Sequence, residues 1–355
     1  MDHDALFEPL PESEVARGLL PYLCDVSGAS ALTFALAPAR MLGGFDTLVY
    51  AFELSDPPPL LRGPLVLRVY RDARGPQRAR REACVQNTVE ALGFPTPRVL
   101  VTCVDRGVLG GAFQVMRRVR GRVMLDGMLG PRLLRMPALL AGLQARLHGL
   151  DADAFARQLA AADCAPDVPS LAGDLDALEQ RIAAAQLPGL AAALRWAQRE
   201  TPPPRRPAVC HGDFHPLNIL LDGGAVSGVL DWAWGRLADP AWDVGATVAL
   251  MTHGPLALPA ALHRAARAAR QWFIARYLRI YATLRPLDRD AVHYYEAVRC
   301  LGMLVEAGEH LQSVSGVIAP IAKPTAFNDA RTVAGLAARF RTLSRVDAVL
   351  PGEIR

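Results

Sequence analysis

Lysine is all but missing from this chain: of 355 residues only Lys323 is one, and every other cation is arginine. With abundant Ala, Gly and Pro, this reflects coding bias rather than a physical demand. The six cysteines form no CxxC pair, which excludes the spacing of a zinc site; free thiols in a reducing cytosol are expected. A net charge of +4 is too small to argue for nucleic acid, and no basic cluster interleaves with aromatics. No apolar run is long enough to span a bilayer, and the opening MDHDALFEPL lacks a signal-peptide pattern. A cytoplasmic protein acting on neither nucleic acid nor membrane is expected. Hydrophobic residues make up 51% and charged ones 21%, so the chain should fold into a globular core. The densest basic stretch, Arg71 to Arg81, reads as a solvated surface loop.

What is present divides in two. Residues 11–24 read as a short helix. Leu48, Tyr50, Phe52 and Leu54 alternate as a strand, and LVLRVY (65–70) is a second. Residues 77–92 carry helical spacing, stopped by Gly93 and the prolines after it. RVLVTCV (98–104) and AFQVMRRV (112–119) read as two more strands. Beyond Gly121 helices are predicted near 134–150, 170–186, 188–199, 241–252, 259–283, 288–313 and 327–343. They are interrupted by a β island over 207–231, HGDFHPLNILLDGGAVSGVLDW being its body.

That island carries the chemistry. Asp213 and Asn218 are five apart with Pro216 between them, so a turn lets both face one cleft. Asn218 opens an apolar strand; Asp222-Gly223-Gly224 is a tight hairpin turn. The returning strand ends at Asp231-Trp232, and pairing of the two strands brings Asn218 and Asp231 close. Two carboxylates and an amide are oxygen ligands suited to a hard cation such as Mg²⁺. One carboxylate is left to orient a hydroxyl and accept its proton. These are the parts that phosphoryl transfer requires. His215 in HGDFH could instead suggest a histidine–carboxylate hydrolase, but no second histidine cluster accompanies it. His148 reads as a structural residue beneath the loop.

HGDFHPLN followed by VLDW resembles the catalytic loop and metal-binding segment of the aminoglycoside phosphotransferase and choline kinase-like family. The resemblance runs from about residue 35 to 310. It implies an α+β, protein-kinase-like two-lobe fold: a small antiparallel β lobe with one helix over residues 1–117, and a larger, mainly α-helical lobe over 118–355. It implies a kinase transferring the γ-phosphate of Mg²⁺-bound ATP or GTP to a small-molecule hydroxyl. Asp213 would be the catalytic base; Asn218 and Asp231 would hold Mg²⁺. Gly43 and Gly44 would lie in the loop over the phosphates. Met116 would back the adenine, with the backbone of Arg117 and Val119 bonding its edge. The family's phosphate-gripping lysine falls on Arg68, with Glu82 as its ion-pair partner. Arginine can fork onto carboxylate and phosphate, so an active enzyme and a weakened nucleotide-binding regulator are the two readings. Asp239 and Asp243 are expected to be structural. With about 25 basic and about 22 acidic residues over 121–355, the larger lobe is not acidic, against a polycationic acceptor. Glu306 and Glu309 are candidate pocket acids, and Trp234, Tyr294 and Tyr295 candidate stacking walls.

Overall fold

The computed structural model describes residues 10–41, 47–128, 131–162, 164, 170–254, 263–319 and 327–352. In chain order its elements begin with α1 (Glu12–Ser27), β1 (Thr33–Arg40), β2 (Leu48–Ser55), β3 (Leu65–Tyr70), α2 (Gly75–Ala91), β4 (Val99–Cys103) and β5 (Ala112–Arg117). There follow β6 (Arg122–Val123), α3 (Met136–Leu147), α4 (Ala152–Ala161), α5 (Leu171–Ala184), α6 (Ala191–Arg199), β7 (Ala208–Cys210), β8 (Ile219–Asp222), β9 (Ala225–Val229) and β10 (Arg236–Ala238). The chain closes with α7 (Pro240–His253), α8 (His263–Leu284), α9 (Arg289–Val314) and α10 (Ala330–Ser344). The class is α+β, with the sheet at the N-terminal end and the larger part helical. No described helix is long and apolar enough to cross a membrane.

Two compact units emerge. The first comprises Met1–Arg122, Arg157–Ala165 and Ile219–Ala233. Its antiparallel sheet has the order β1-β2-β3-β5-β4. Period-2 alternation sends Leu48, Tyr50, Phe52 and Leu54 of β2, and Leu65, Leu67 and Val69 of β3, into one core. Val15, Leu19 and Leu23 of α1 close that core. Each such side chain contributes roughly 1.5–3 kcal/mol by leaving water. The opposite face of β3 presents Val66, Arg68 and Tyr70. Val66 packs against Ala83 of α2 with Val99 and Met116, so one alternation that buries leucines on one side aims Arg68 at the helix side.

The second unit comprises Val123–Ala156, Pro166–Asn218 and Trp234–Arg355. Within it α9 packs against α7 and α10, and α3 against α8. Asp239 and Asp288 start α7 and α9 as N-caps, accepting backbone N–H bonds from Ala241 and from Asp290 and Ala291. β7 and β10 pair antiparallel, with Cys210 opposite Arg236.

The Arg71–Arg81 stretch is a loop only as far as Arg74. From Gly75 onward it is the first half of α2, and Arg74, Arg78 and Arg81 line a cavity of about 310 Å³ with Glu82 and Ala233.

Candidate functional site

In the second unit β7 delivers the chain into the loop His211–Asn218. The loop is pinned from beneath by Asp243, fully buried in the first turn of α7. Its carboxylate accepts from Gly212 N at 2.6 Å and His211 N at 3.2 Å, and from Gln144 Nε2 at 3.0 Å. His148 Nε2 donates to it at 2.9 Å, while His148 Nδ1 lies 2.6 Å from Tyr281 Oη. Burial works against the Asp243 carboxylate, but these donors, His148 first, hold its pKa below the usual range. The expected structural roles of His148 and Asp243 follow from these bonds. His148, Cys210 and Asp243 also crowd within 4.8 Å of one another. Both ring nitrogens of His148 already have protein partners, which makes this a hydrogen-bonded core cluster.

Gly212 is the tight point. Its φ is +81°, and a Cβ there would lie 2.5 Å from Trp242 Cη2 and 2.6 Å from Trp234 Cβ. The left-handed backbone turns the chain so that Asp213 leaves the strand direction. Asp213 N then donates to His211 Nδ1 at 3.2 Å. Asn218 Nδ2 donates to both Asp213 O and Asp213 Oδ2 at 3.0 Å, fixing the carboxylate against its own loop. His215 Nε2 sits 3.2 Å from Asp213 Oδ2, and Leu217 N donates to His215 Nδ1 at 3.3 Å. With Nδ1 accepting, the network assigns the His215 proton to Nε2, where it donates to the carboxylate. Arg299 Nη2, from α9, lies 3.8 Å from Asp213 Oδ1. Burial favours a neutral Asp213, but the His215 hydrogen bond, together with the nearby Arg299 charge, outweighs it and holds the carboxyl well below the usual range. The group stays ionised at neutral pH. Asn218's amide nitrogen is the atom used in these bonds, which leaves its oxygen as a donor for a cation. Sequence reasoning gave no role to Arg299, which sits in mid-helix with no local motif to flag it.

In the first unit β8 and β9 form the expected hairpin. Ile219 pairs with Val229 and Asp222 with Ala225. Gly223 and Gly224, at φ +58° and +94°, supply the two left-handed residues of the turn. Asp231 follows β9 at φ +65°, rare for a non-glycine, and its side chain is 41% exposed. Arg68 binds three acceptors. Nε donates to Thr47 Oγ1 at 2.9 Å, Nη1 to Glu82 Oε2 at 2.9 Å and Nη2 to Asp231 Oδ1 at 3.2 Å. The expected Arg68–Glu82 pair is present, and Arg68 also reaches the hairpin carboxylate. Burial opposes its charge, but Asp231, Tyr70 and Glu82 push its pKa up further still. Glu82 is 2% exposed; burial pushes its carboxyl up, with Arg68 the main opposing influence. Tyr70 Oη donates to Glu82 Oε2 at 2.6 Å, while Glu82 Oε1 is buried with no hydrogen-bond partner among the described residues.

Met116 is buried on β5 beside Gln86, whose Nε2 lies 3.9 Å from its sulfur. Arg117 N already donates to Arg98 O at 3.0 Å, and Val119 methyls sit beside Gly228. Gly43 and Gly44 lie outside the described residues. Three acceptor-side candidates are corrected. Glu309 is forked by Arg181 at 2.8 and 2.9 Å and serves packing. Tyr294 and Tyr295 are buried, and Tyr294 Oη donates to Ala197 O at 2.6 Å. Of the other two candidates, Trp234 is 53% exposed and keeps a face for a ligand, and Glu306 is half-buried on α9.

The model of the "Phosphotransferase enzyme family" matches residues 39–287. The chain belongs to this family. Among solved structures, this phosphotransferase superposes on a protein from Ralstonia eutropha provisionally assigned as an aminoglycoside phosphotransferase. The TM-score is 0.67 at 19% identity, covering 93% of this chain and 98% of the other. A thermostable mutant aminoglycoside phosphotransferase in ternary complex with ADP and hygromycin B gives a TM-score of 0.52 at 16% identity, over 92% and 98% of the two chains. Both likenesses establish the shared kinase-like fold. Acyl-CoA dehydrogenase family member 11 of Gallus gallus is 30% identical over 173 residues, 46% of this chain. The match spans 22% of that relative, about a fifth of its length.

Proposed function

We propose that this phosphotransferase moves the γ-phosphoryl group of ATP or GTP to a hydroxyl of a small molecule, with Asp213 as the base. One observation carries the reading: a half-buried carboxylate held ionised inside HGDFHPLN, with Asn218 and His215 fixing its orientation. The acceptor hydroxyl donates to Asp213. A bond forms between its oxygen and the γ-phosphorus, the bond from that phosphorus to the β-phosphate oxygen breaks, and the nucleoside diphosphate leaves with its charge. The hydroxyl proton passes to the Asp213 carboxylate. Such transfer depends mainly on positioning and charge, and the Asn218 bonds to both backbone and carboxylate of Asp213 supply the positioning.

Each of the two candidate ligands, one in each unit, is of the kind that Mg²⁺ takes. The Asn218 amide oxygen and the half-exposed Asp231 carboxylate are hard oxygen ligands. When bound, Mg²⁺ neutralises phosphate charge. The ADP complex of the hygromycin B-binding relative supports a nucleotide donor. Val119 is assigned to the adenine edge with Met116 behind it. Arg117 can offer only its carbonyl, because its N–H is used. Gly43 and Gly44 are assigned to the phosphate loop. Arg68 is assigned to the phosphates, where it must exchange Thr47 or Asp231 for a phosphate oxygen. That full engagement of Arg68 favours the second reading, a weak nucleotide-binding regulator.

The test is nucleotide turnover with Mg²⁺ across a hydroxyl-compound library. Asp213→Asn should lower kcat by about 10²–10⁴-fold without loss of nucleotide binding. A loss under tenfold removes Asp213 from its role. Binding without turnover, unaltered by Asp213→Asn, selects the regulator.

A further inference from the structure

We infer that the acceptor is anionic, a hydroxyl compound bearing a carboxylate or phosphate group, and that Arg299 recognises it. The inference rests on the phosphotransferase reading above and names the acceptor class for the same site.

Consider the charges around Asp213 within its own unit. A lone ionised base repels an anionic acceptor. Here Arg299 brings a cation to 3.8 Å from Oδ1, beyond hydrogen-bond length but well inside Coulomb range. The pair is neutral, so the repulsion is cancelled where the hydroxyl must arrive. An aminoglycoside-type polycation would meet the opposite situation, a guanidinium beside the base.

Arg299 also has donors to offer. A guanidinium carries five N–H groups. Among the described residues none of them makes a hydrogen bond: the Asp213 contact is too long, and Nε is buried with no partner. The carboxylate one turn back on α9, Glu296, is not available to it. Arg339 forks that group at 2.6 and 2.7 Å. The side chain of Arg299 is 22% exposed, so its outer nitrogens are reachable while its stem is held in α9. A half-buried cation with unsatisfied donors is a costly arrangement, and a planar fork suits an oxyanion. Because Arg299 stands 3.8 Å from the base, the oxyanion and the reacting hydroxyl must lie within a few bonds of each other. The exposed indole of Trp234, whose Cβ abuts Gly212, offers an apolar wall beside them.

The test assays nucleoside diphosphate release with Mg²⁺-ATP and matched acceptors: β-hydroxycarboxylates, their primary amides, amino alcohols of the same length, and glycerol phosphate. Wild type is compared with Arg299→Lys and Arg299→Met, the latter keeping the stem volume. The acids or the phosphate ester should be preferred over the amides. Arg299→Met should raise the KM of the preferred anion by roughly ten- to hundredfold and abolish the preference; Arg299→Lys should restore part of it. The carboxylate and phosphate arms tell which oxyanion is read. A preference for amines or amides, or an acid preference that survives Arg299→Met, overturns the inference. So does an equal fall of kcat for every acceptor, the mark of a residue that only steadies Asp213. If nucleotide is cleaved to water and no anion is accepted, the inference falls and the kinase reading stands. If nucleotide is not cleaved at all, the kinase reading falls and this inference with it.

Discussion

Asp243→Asn isolates the support of the loop His211–Asn218 from the loop itself. In the native protein Oδ2 accepts from His211 N, Gln144 Nε2 and His148 Nε2, and Oδ1 from Gly212 N. Asparagine has one acceptor and one donor. Its best orientation places the oxygen at the Oδ2 position, keeping three donors, and turns its NH₂ against the Gly212 N–H. One charge-assisted bond is lost, worth about 1.5–3 kcal/mol, and one buried N–H is orphaned at about 1–3 kcal/mol. The remaining bonds lose the charge that strengthened them. The sum, roughly 2.5–6 kcal/mol, brackets the penalty for breaking a buried charged network. Against a total stability of roughly 5–15 kcal/mol, the variant should still fold. Urea titration followed by tryptophan fluorescence should show a clear fall in midpoint. Because Gly212 is bonded to Asp243 and joined to Asp213, kcat should fall by more than about tenfold, equivalent to about 1.4 kcal/mol of lost transition-state support. A wild-type midpoint, or a lowered midpoint with wild-type kcat, would refute the view that Asp243 sets the loop geometry.

Other predictions follow from separate residues. Gly212→Ala places a Cβ against both Trp234 and Trp242 at a positive φ, and should cost roughly 2–4 kcal/mol by urea titration; a neutral result would mean the tryptophans move freely. Arg68→Ala leaves Glu82 buried with only the more distant Arg78, at 3.9 Å, as its cation and should raise the nucleotide KM by about tenfold or more; unchanged nucleotide kinetics would assign the phosphates to another residue. His253 is pushed down to about 4, by burial first and then by Arg339 and Arg270, from an unfolded value of 6.5. Between those pH values the unfolded chain binds the extra proton, so stability present above pH 6.5 is lost as pH falls towards 4, by up to about 3 kcal/mol. His253→Phe should flatten that part of the stability–pH curve, and an unaltered curve would place the acid sensitivity elsewhere.

The sequence made the sheet readable where alternation is strict. β2 and β3 bury every second residue, so their periodicity showed directly. β1 escaped notice because only one of its residues is buried and its pairing is bulged; an exposed edge leaves no pattern. The two-residue β6 and three-residue β10 are too short to carry a period, and α4 lay among alanines without a marked start. The loop residues Asp213 and Asn218 were legible because their spacing is local. Arg299 and Gln144 were not, because they reach the loop from helices 86 and 69 positions away in sequence, where only folding brings them. Glu309, Tyr294 and Tyr295 failed for the same reason: a helical surface pattern does not say which neighbours will cover it. The basic stretch misled because its charges fall on the opening turns of α2, where arginine is a good helix former.

The arginine at position 68 has a chemical consequence. Acyl-phosphate derivatives of nucleotides mark many kinases by acylating the amine that grips the phosphates. That reaction needs a deprotonated, nucleophilic nitrogen. A guanidinium is protonated at any working pH, and the carboxylates around Arg68 hold its proton more firmly still. The sole lysine of the chain, Lys323, lies far along the sequence from the strand that carries Arg68. Such a reagent therefore finds no amine to acylate at position 68, and a label placed on that strand is excluded.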